Sequence, residues 1–498
     1  MKFSNLNFSL LFLVVGAFAN SPIGFGNKTT GGQGGIEYHV NTFKELNEAL
    51  NNNGNPTAPK IIYIDSPMNG LIDDNGKIIT AEDLVPGYSF QKYLECFSED
   101  GLQWLDTEEC NNIEELRKQG TPIQEKFTKA YIPSNTSIIG HGDSSHLEEI
   151  SLTISNADNV IIKNLSIEAP NDFFTKWDPT DGIHGSWNAQ YDNIVITNST
   201  NVWVDNCYLT DGKKSLDKNP IIFGKHIEYQ DGLLDIIKGS DLITLSNNLF
   251  ESHHKTMLIG NSDKRTDDRN HLRVTITNNV FFNCIERLPR VRFGKIHILN
   301  NYFYAETFHQ GYPALTFDNY FKEYNVGIFP SYFIGLGIES NVLSEYNSFN
   351  IVGSKEIPAT DDIIVFSYGG NIFHDNKSEF NGKNIDIDVL AERSFKLKVN
   401  GTIVSNAELG KSNPNWVNAT FSSETFQPTE YYDYKVIENI DKVNDLVNKV
   451  PTWMFDNDSE SNVDFSNDEE DVIINDDDDS DVYIEDSEDS ADDVTTDF

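Results

Sequence analysis

Three arginines crowd six residues of a strongly acidic chain: Arg287, Arg290 and Arg292 in ERLPRVRFG. A guanidinium offers a planar fork of donors that matches a carboxylate in bidentate fashion. In a protein of net charge −41, such a patch is either a solvated basic edge or a receiver of anionic groups. Lys255, in HHKTMLIG, supplies a further cation upstream. Two acidic clusters precede it. Gln190-Tyr191-Asp192 stands ahead of NSTNVWVDN, and Asp231 and Asp235 bracket DGLLD. Oxygens gathered from neighbouring segments are the hard ligands of Ca²⁺, which takes six to eight of them in a flexible shell. Singly, an aspartate in a glycine-rich turn more often caps backbone, so the metal assignment depends on what brings these groups together. His253 and His254 read as structural histidines on the same segment.

A recurring pattern supplies the positioning. Apolar, β-branched runs end in asparagine in NVIIKN, NVWVDN, DLITLSNN, RVTITNN and KIHILNN, closing at Asn164, Asn206, Asn247, Asn278 and Asn300. The intervals of 42, 41, 31 and 22 residues fit coils of a solenoid with insertions of variable length. The expected fold is all-β, a right-handed single-stranded parallel β-helix with long loops, in which the closing asparagines stack in register and pass hydrogen bonds along the coils. Asn41 to Asn53, with Leu46 and Leu50 on one face, reads as an N-terminal capping helix. Parallel coils bring distant residues onto one face, and the insertions wall a groove there that suits a linear polymer.

The ends of the chain set the compartment. Lys2, the apolar run Phe8 to Ala19 and the Ala17-Phe18-Ala19 site form a signal-peptide pattern over 1–19. An exported product is expected, with a catalytic domain over 20–455 and a disordered acidic tail over 456–498. That tail carries 20 acidic residues and no Lys or Arg, leaving −21 on the rest of the chain. A polyanion of this kind argues against nucleic acid or an anionic membrane as partner, and a monomer is expected. Sequons at Asn27, Asn135, Asn198, Asn376, Asn400, Asn418 and Asn457 fit a secreted glycoprotein. Cys96 and Cys110 flank an acidic stretch whose loop they could close, whereas Cys207 and Cys284 sit in strand-like runs as small core residues.

The run DGLLDIIKGSDLITLSNNLFESHHKTMLIGNSD, followed by LRVTITNNVFFNCIERLPRVRFGKIHILNNYF, resembles the core of the pectate lyases of polysaccharide lyase family one. YIPSNTSIIGHG, NSTNVWVDN, GFGNKTTGGQGG and EYYDYKVIENIDKVNDLV extend the likeness over 22–453. The combination of R-x-P-x-x-R with D-G-x-x-D and K-T-x-L-x-G is specific. The resemblance implies that Asp192, Asp231 and Asp235 bind calcium and that Arg287 is the catalytic base. It implies that Lys255 and Arg292, with Arg290 beside them, hold substrate carboxylates. Polygalacturonate would be cut by β-elimination to 4,5-unsaturated oligogalacturonides.

The C5 proton of galacturonate lies α to a carboxylate, so its removal adds charge to an anion. A bridging cation would offset that charge and the repulsion between an acidic enzyme and an acidic substrate. One position departs from the family: Gln190 stands where a carboxylate is usual, an amide ligand without charge, and Asp181 is a candidate to compensate. The rival readings are a pectin lyase acting on uncharged esters, a polygalacturonase needing an acid–base pair, and a homologue that only binds pectin.

Overall fold

The structure is a computed structural model that describes residues 21–73, 75–142, 145–181, 185–306, 331–353, 359–399 and 419–449. The signal segment and the acidic tail expected from the sequence lie outside the described residues, as do the sequons at Asn400, Asn418 and Asn457.

The β-branched runs form parallel strands because each repeats the same inward and outward alternation, and parallel registry puts like residues above like. Val160, Val202, Ile243, Val274, Ile296, Val342 and Phe373 make one such column, each paired with the next and all fully buried. Phe250, Phe281, Phe303 and Phe349 make another, with successive ring centroids 4.8, 4.8 and 4.7 Å apart. That spacing equals the separation of neighbouring strands, so the ring stack and the hydrogen-bond ladder reinforce one register. Three long sheets result, of ten, eight and ten strands. From 129–132 onward each coil contributes to all three in turn, for example through 194–197, 200–205 and 208–210. This is the parallel β-helix that the sequence implied.

The asparagine stack is displaced by one residue from the expectation. Asn164, Asn206, Asn247, Asn278 and Asn300 all have φ between +52° and +57°, the left-handed turn that asparagine tolerates. This turn closes each strand and sends the following residue inward. The buried ladder is therefore Asn248, Asn279, Asn301 and Asn347, each side-chain N–H donating to the next Oδ1 at 3.0 Å. Among the closing residues, Asn206 donates to Asn164 at 2.9 Å, while Asn247 turns to Asp205.

Asn279 accepts from the Asn248 amides and donates to Asn301 and to the Leu245 carbonyl. Asn279→Ala is expected to lower stability by about 1–3 kcal/mol for each partner left buried and unpaired. The shift in the urea midpoint at unchanged slope measures it.

The capping helix spans Phe43–Asn51, with the Thr42 side chain accepting from the Glu45 amide. Leu46, Ala49 and Leu50 join Val40, Ile62 and Ile132 in the main core, which closes the solenoid's N-terminal end. Helix Glu108–Thr128 was not foreseen. With the insertions around Tyr93, Phe174, Trp177 and Trp187 it forms a separate aromatic core. Cys96 and Cys110 are joined in a disulfide at the start of this helix, whereas Cys207 and Cys284 are buried and free. Among the described residues, no helix is long and apolar enough to cross a membrane.

Candidate active site

Parallel registry brings the acidic clusters together. Ile194 pairs with Leu234 and Val195 with Asp235, which sets Asp192 level with Gly232. The Gly232 amide donates to Asp192 Oδ1 at 2.6 Å, and the Leu258 amide donates to Asp235 Oδ1 at 2.9 Å. A methyl group on Gly232 would sit 2.9 Å from Asp192 Oδ1 and 3.2 Å from Asp235 Oδ1. Glycine is thus what allows the two carboxylates to share this space. The same level continues across the coils, Gly232 bridging to Lys255 and Lys255 to Glu286.

The electrostatics follow from the crowding. Burial raises Asp192 well above the usual carboxylate range, and the charges of Asp235 and Asp231 push it further. Burial and the Asp231 charge bring Asp235 up to about 7. Asp231 is also raised by burial, though Lys255 and Arg287 pull against the shift. Three carboxylates with too few donors cannot all ionise together. An all-oxygen set of this kind fits a hard divalent cation such as Ca²⁺. Gln190 stands at the exposed rim, its backbone N–H turned to the buried Asp172. Asp181 is half-buried in the adjoining loop.

Cations line the neighbouring coils. Arg287 has φ +62°, a conformation that costs a non-glycine residue roughly 1–2 kcal/mol. It is over-determined by its neighbours: its carbonyl accepts from the Met257 amide at 2.8 Å, and the Leu288 amide donates to the Phe333 carbonyl at 2.7 Å. The guanidinium is buried and donates from Nε to Glu286 at 3.2 Å. Lys255 Nζ donates to Glu228 Oε2 at 2.8 Å, and His254 engages the other Glu228 oxygen at 2.8 Å. Arg292 is buried, donating to Asp263 at 2.7 Å and to the Gly260 carbonyl at 3.0 Å. The Arg290 guanidinium stacks 3.8 Å above the Tyr368 ring.

His253 has the structural role read for it, and a specific one. Its Nδ1 meets Asp211 at 2.8 Å and its Nε2 meets the Asp231 carbonyl at 2.8 Å. Burial opposes protonation, but Asp211 raises the imidazole overall, so both ring nitrogens can donate and the Asp231 backbone is pinned. Glu228, Asp211, Asp172 and Asp263 were not identified from sequence. They lie in insertions or turns that no strand repeat frames, and HIEYQDG gives no spacing that marks Glu228.

The family described as pectate lyase matches residues 116–421. The chain belongs to the pectate lyase family. It is a polysaccharide lyase accordingly. It is 34% identical over 370 residues to a pectate lyase of Bacillus subtilis (strain 168), covering 73% of this chain and 82% of that one. A thermostable pectate lyase, PL 47, superposes with a TM-score of 0.69 at 30% identity, over 86% of this chain and 95% of the other. A pectate lyase from Acidovorax avenae subsp citrulli shares the fold, with a TM-score of 0.71 at 22% identity, over 88% of this chain and 97% of that one.

Proposed function

We propose that the protein is a secreted, calcium-dependent pectate lyase that cleaves (1→4)-α-D-galacturonan by β-elimination. The observation that carries this reading is the meeting of Asp192, Asp231 and Asp235 beside Arg287 and Lys255. Calcium held by the three aspartates, with Gln190 at the rim, would act as a Lewis acid on the uronate carboxylate. Lys255, Arg290 and Arg292 hold carboxylates of the polymer as charge-assisted donors. Arg287 takes the C5 proton. The C5–H electron pair becomes the C4–C5 double bond, the C4–oxygen bond breaks with its electron pair going to the leaving oxygen, and that oxygen takes up a proton from solvent. No water is consumed.

Methyl esters are uncharged and would give three crowded carboxylates no role, which favours pectate over esterified pectin as substrate. Ultraviolet absorbance of the unsaturated product, followed on polygalacturonate and on fully methylated pectin, tests the reading. Polygalacturonate is expected to be the faster substrate. Reducing ends released without that absorbance, or a preference for the ester, would overturn it.

Gln190 tests the metal assignment further. Gln190→Glu adds a charge at the rim of the acidic cluster and is expected to tighten calcium binding, read by calorimetry. Unchanged affinity would remove this position from the site.

A further inference from the structure

We propose a second metal site, for a borderline divalent transition ion of the zinc class, formed by His39, Asp65 and His141 at the N-terminal end of the stack. These residues come from three adjacent strands of the first ten-stranded sheet, or from the residue that follows them. His39 lies in strand Ile36–Val40. Asp65 and His141 directly follow Lys60–Ile64 and Thr136–Gly140. Registry puts Ile64 opposite Gly140, so Asp65 and His141 leave their strands at the same level. The backbone fixes that level, the Asp65 amide donating to the Val40 carbonyl and the His141 amide to the Ile64 carbonyl, both at 3.0 Å.

The side chains converge. His39 Nδ1 lies 2.8 Å from Asp65 Oδ2, and His141 Nδ1 lies 2.7 Å from Asp65 Oδ1. One ligand atom from each residue falls within 4.8 Å of the others. Zinc–imidazole bonds are about 2.0–2.1 Å and the ion is tetrahedral, so its ligand atoms stand roughly 3.3 Å apart, and torsional adjustment of the two exposed imidazoles would draw the set in to that spacing. The rings are held for this. Tyr63 stacks on His39 at 4.9 Å and 21°, and its centroid is 5.9 Å from that of His141. The side chains of His39, Asp65 and His141 are 53%, 25% and 63% exposed, leaving an ion access and open positions for water.

Ligand chemistry separates this site from the acidic cleft. Two imidazoles and one carboxylate suit zinc, nickel or copper, whereas an all-oxygen set suits calcium. An ion here would join three coils across the solenoid's first turns and stabilise the folded state by mass action.

The test is zinc titration by calorimetry of untagged full-length protein, with excess calcium present to fill the oxygen-rich cleft. One zinc per chain is expected near neutral pH, with a rise in melting temperature. His39→Ala and His141→Ala should each weaken binding by at least about tenfold, since removing a ligand costs no less than removing the group that orients it. Copper(II) bound in place of zinc should show nitrogen coupling in its electron paramagnetic resonance spectrum, lost in the double variant. Both variants should keep the zinc-free melting temperature, their side chains being at the surface. Absence of zinc binding by the wild type, or binding undiminished in the double variant, would overturn the proposal.

Discussion

Arg287→Lys is expected to lower turnover on polygalacturonate by roughly 10²–10⁴-fold, the range supplied by a positioned general base. Melting temperature should change little, because lysine retains the positive charge and can occupy the same left-handed turn. The loss follows from reach and shape. The guanidinium is held by Glu286 at 3.2 Å on a backbone anchored to two neighbouring coils, and a shorter, tetrahedral ammonium does not place a base at the same point.

Its acidity must also be overcome, since an unperturbed arginine has a pKa of about 12.5–13.8. Glu286, Asp231 and Asp235 all favour its charged form. A cation that cancels the aspartate charges would therefore help release the proton, tying the proposed base to the proposed metal. The turnover rate should climb toward alkaline pH as the neutral fraction grows. An optimum near pH 5, or a lysine variant at full speed, would remove Arg287 from the role proposed for it.

Chelation should have the second large effect. Loss of several kcal/mol of transition-state charge stabilisation corresponds to at least about 10²–10³-fold in rate, restored by excess calcium. Stability should report the same site. In EDTA the folded-state pKa of Asp235 is about 7, against an ordinary value of 3.8. Between these values Asp235 holds more proton in the folded chain than in the unfolded one, so the stability it contributes falls as pH rises through that window. Calcium, which favours the ionised carboxylates, should flatten that decline. Melting curves at successive pH values, with and without calcium, check it. Activity indifferent to EDTA, or a pH dependence of melting in EDTA that Asp235→Asn leaves unchanged, would contradict the assignment of these aspartates.

Parallel stacking explains what the sequence revealed. Strands such as Thr200–Asp205 and Asp241–Ser246 carry β-branched runs and a closing asparagine, so their repeat is visible without knowledge of the intervening chain. The capping helix was legible for the same reason, Leu46 and Leu50 lying on one face. The ladder was misplaced by one residue because the pattern marks where a strand closes, while φ at that residue decides which neighbour points inward. Helix Glu108–Thr128 was hidden by its composition: it is largely polar, it contains Gly120 and Pro122, and its core partners are other insertions. Asp192, Asp231, Asp235, Lys255 and Arg287 were singled out because they sit beside strands and fall in the motifs of the family resemblance, and the registry brings them together. Glu228 was not, since its contact with Lys255 depends on the path of an insertion.

The asparagine ladder treats the solenoid's cross-section as a reading frame. Dropping one residue within Asp241–Ser246 would bring Asn248 out of phase with Asn279 and would turn alternate side chains to the opposite face. Adding a whole coil, or lengthening a turn, leaves every column in phase. Descent with change should therefore be permissive in the insertions between strands and strict within the strands, so that a lineage can remodel its surface without disturbing the stack beneath.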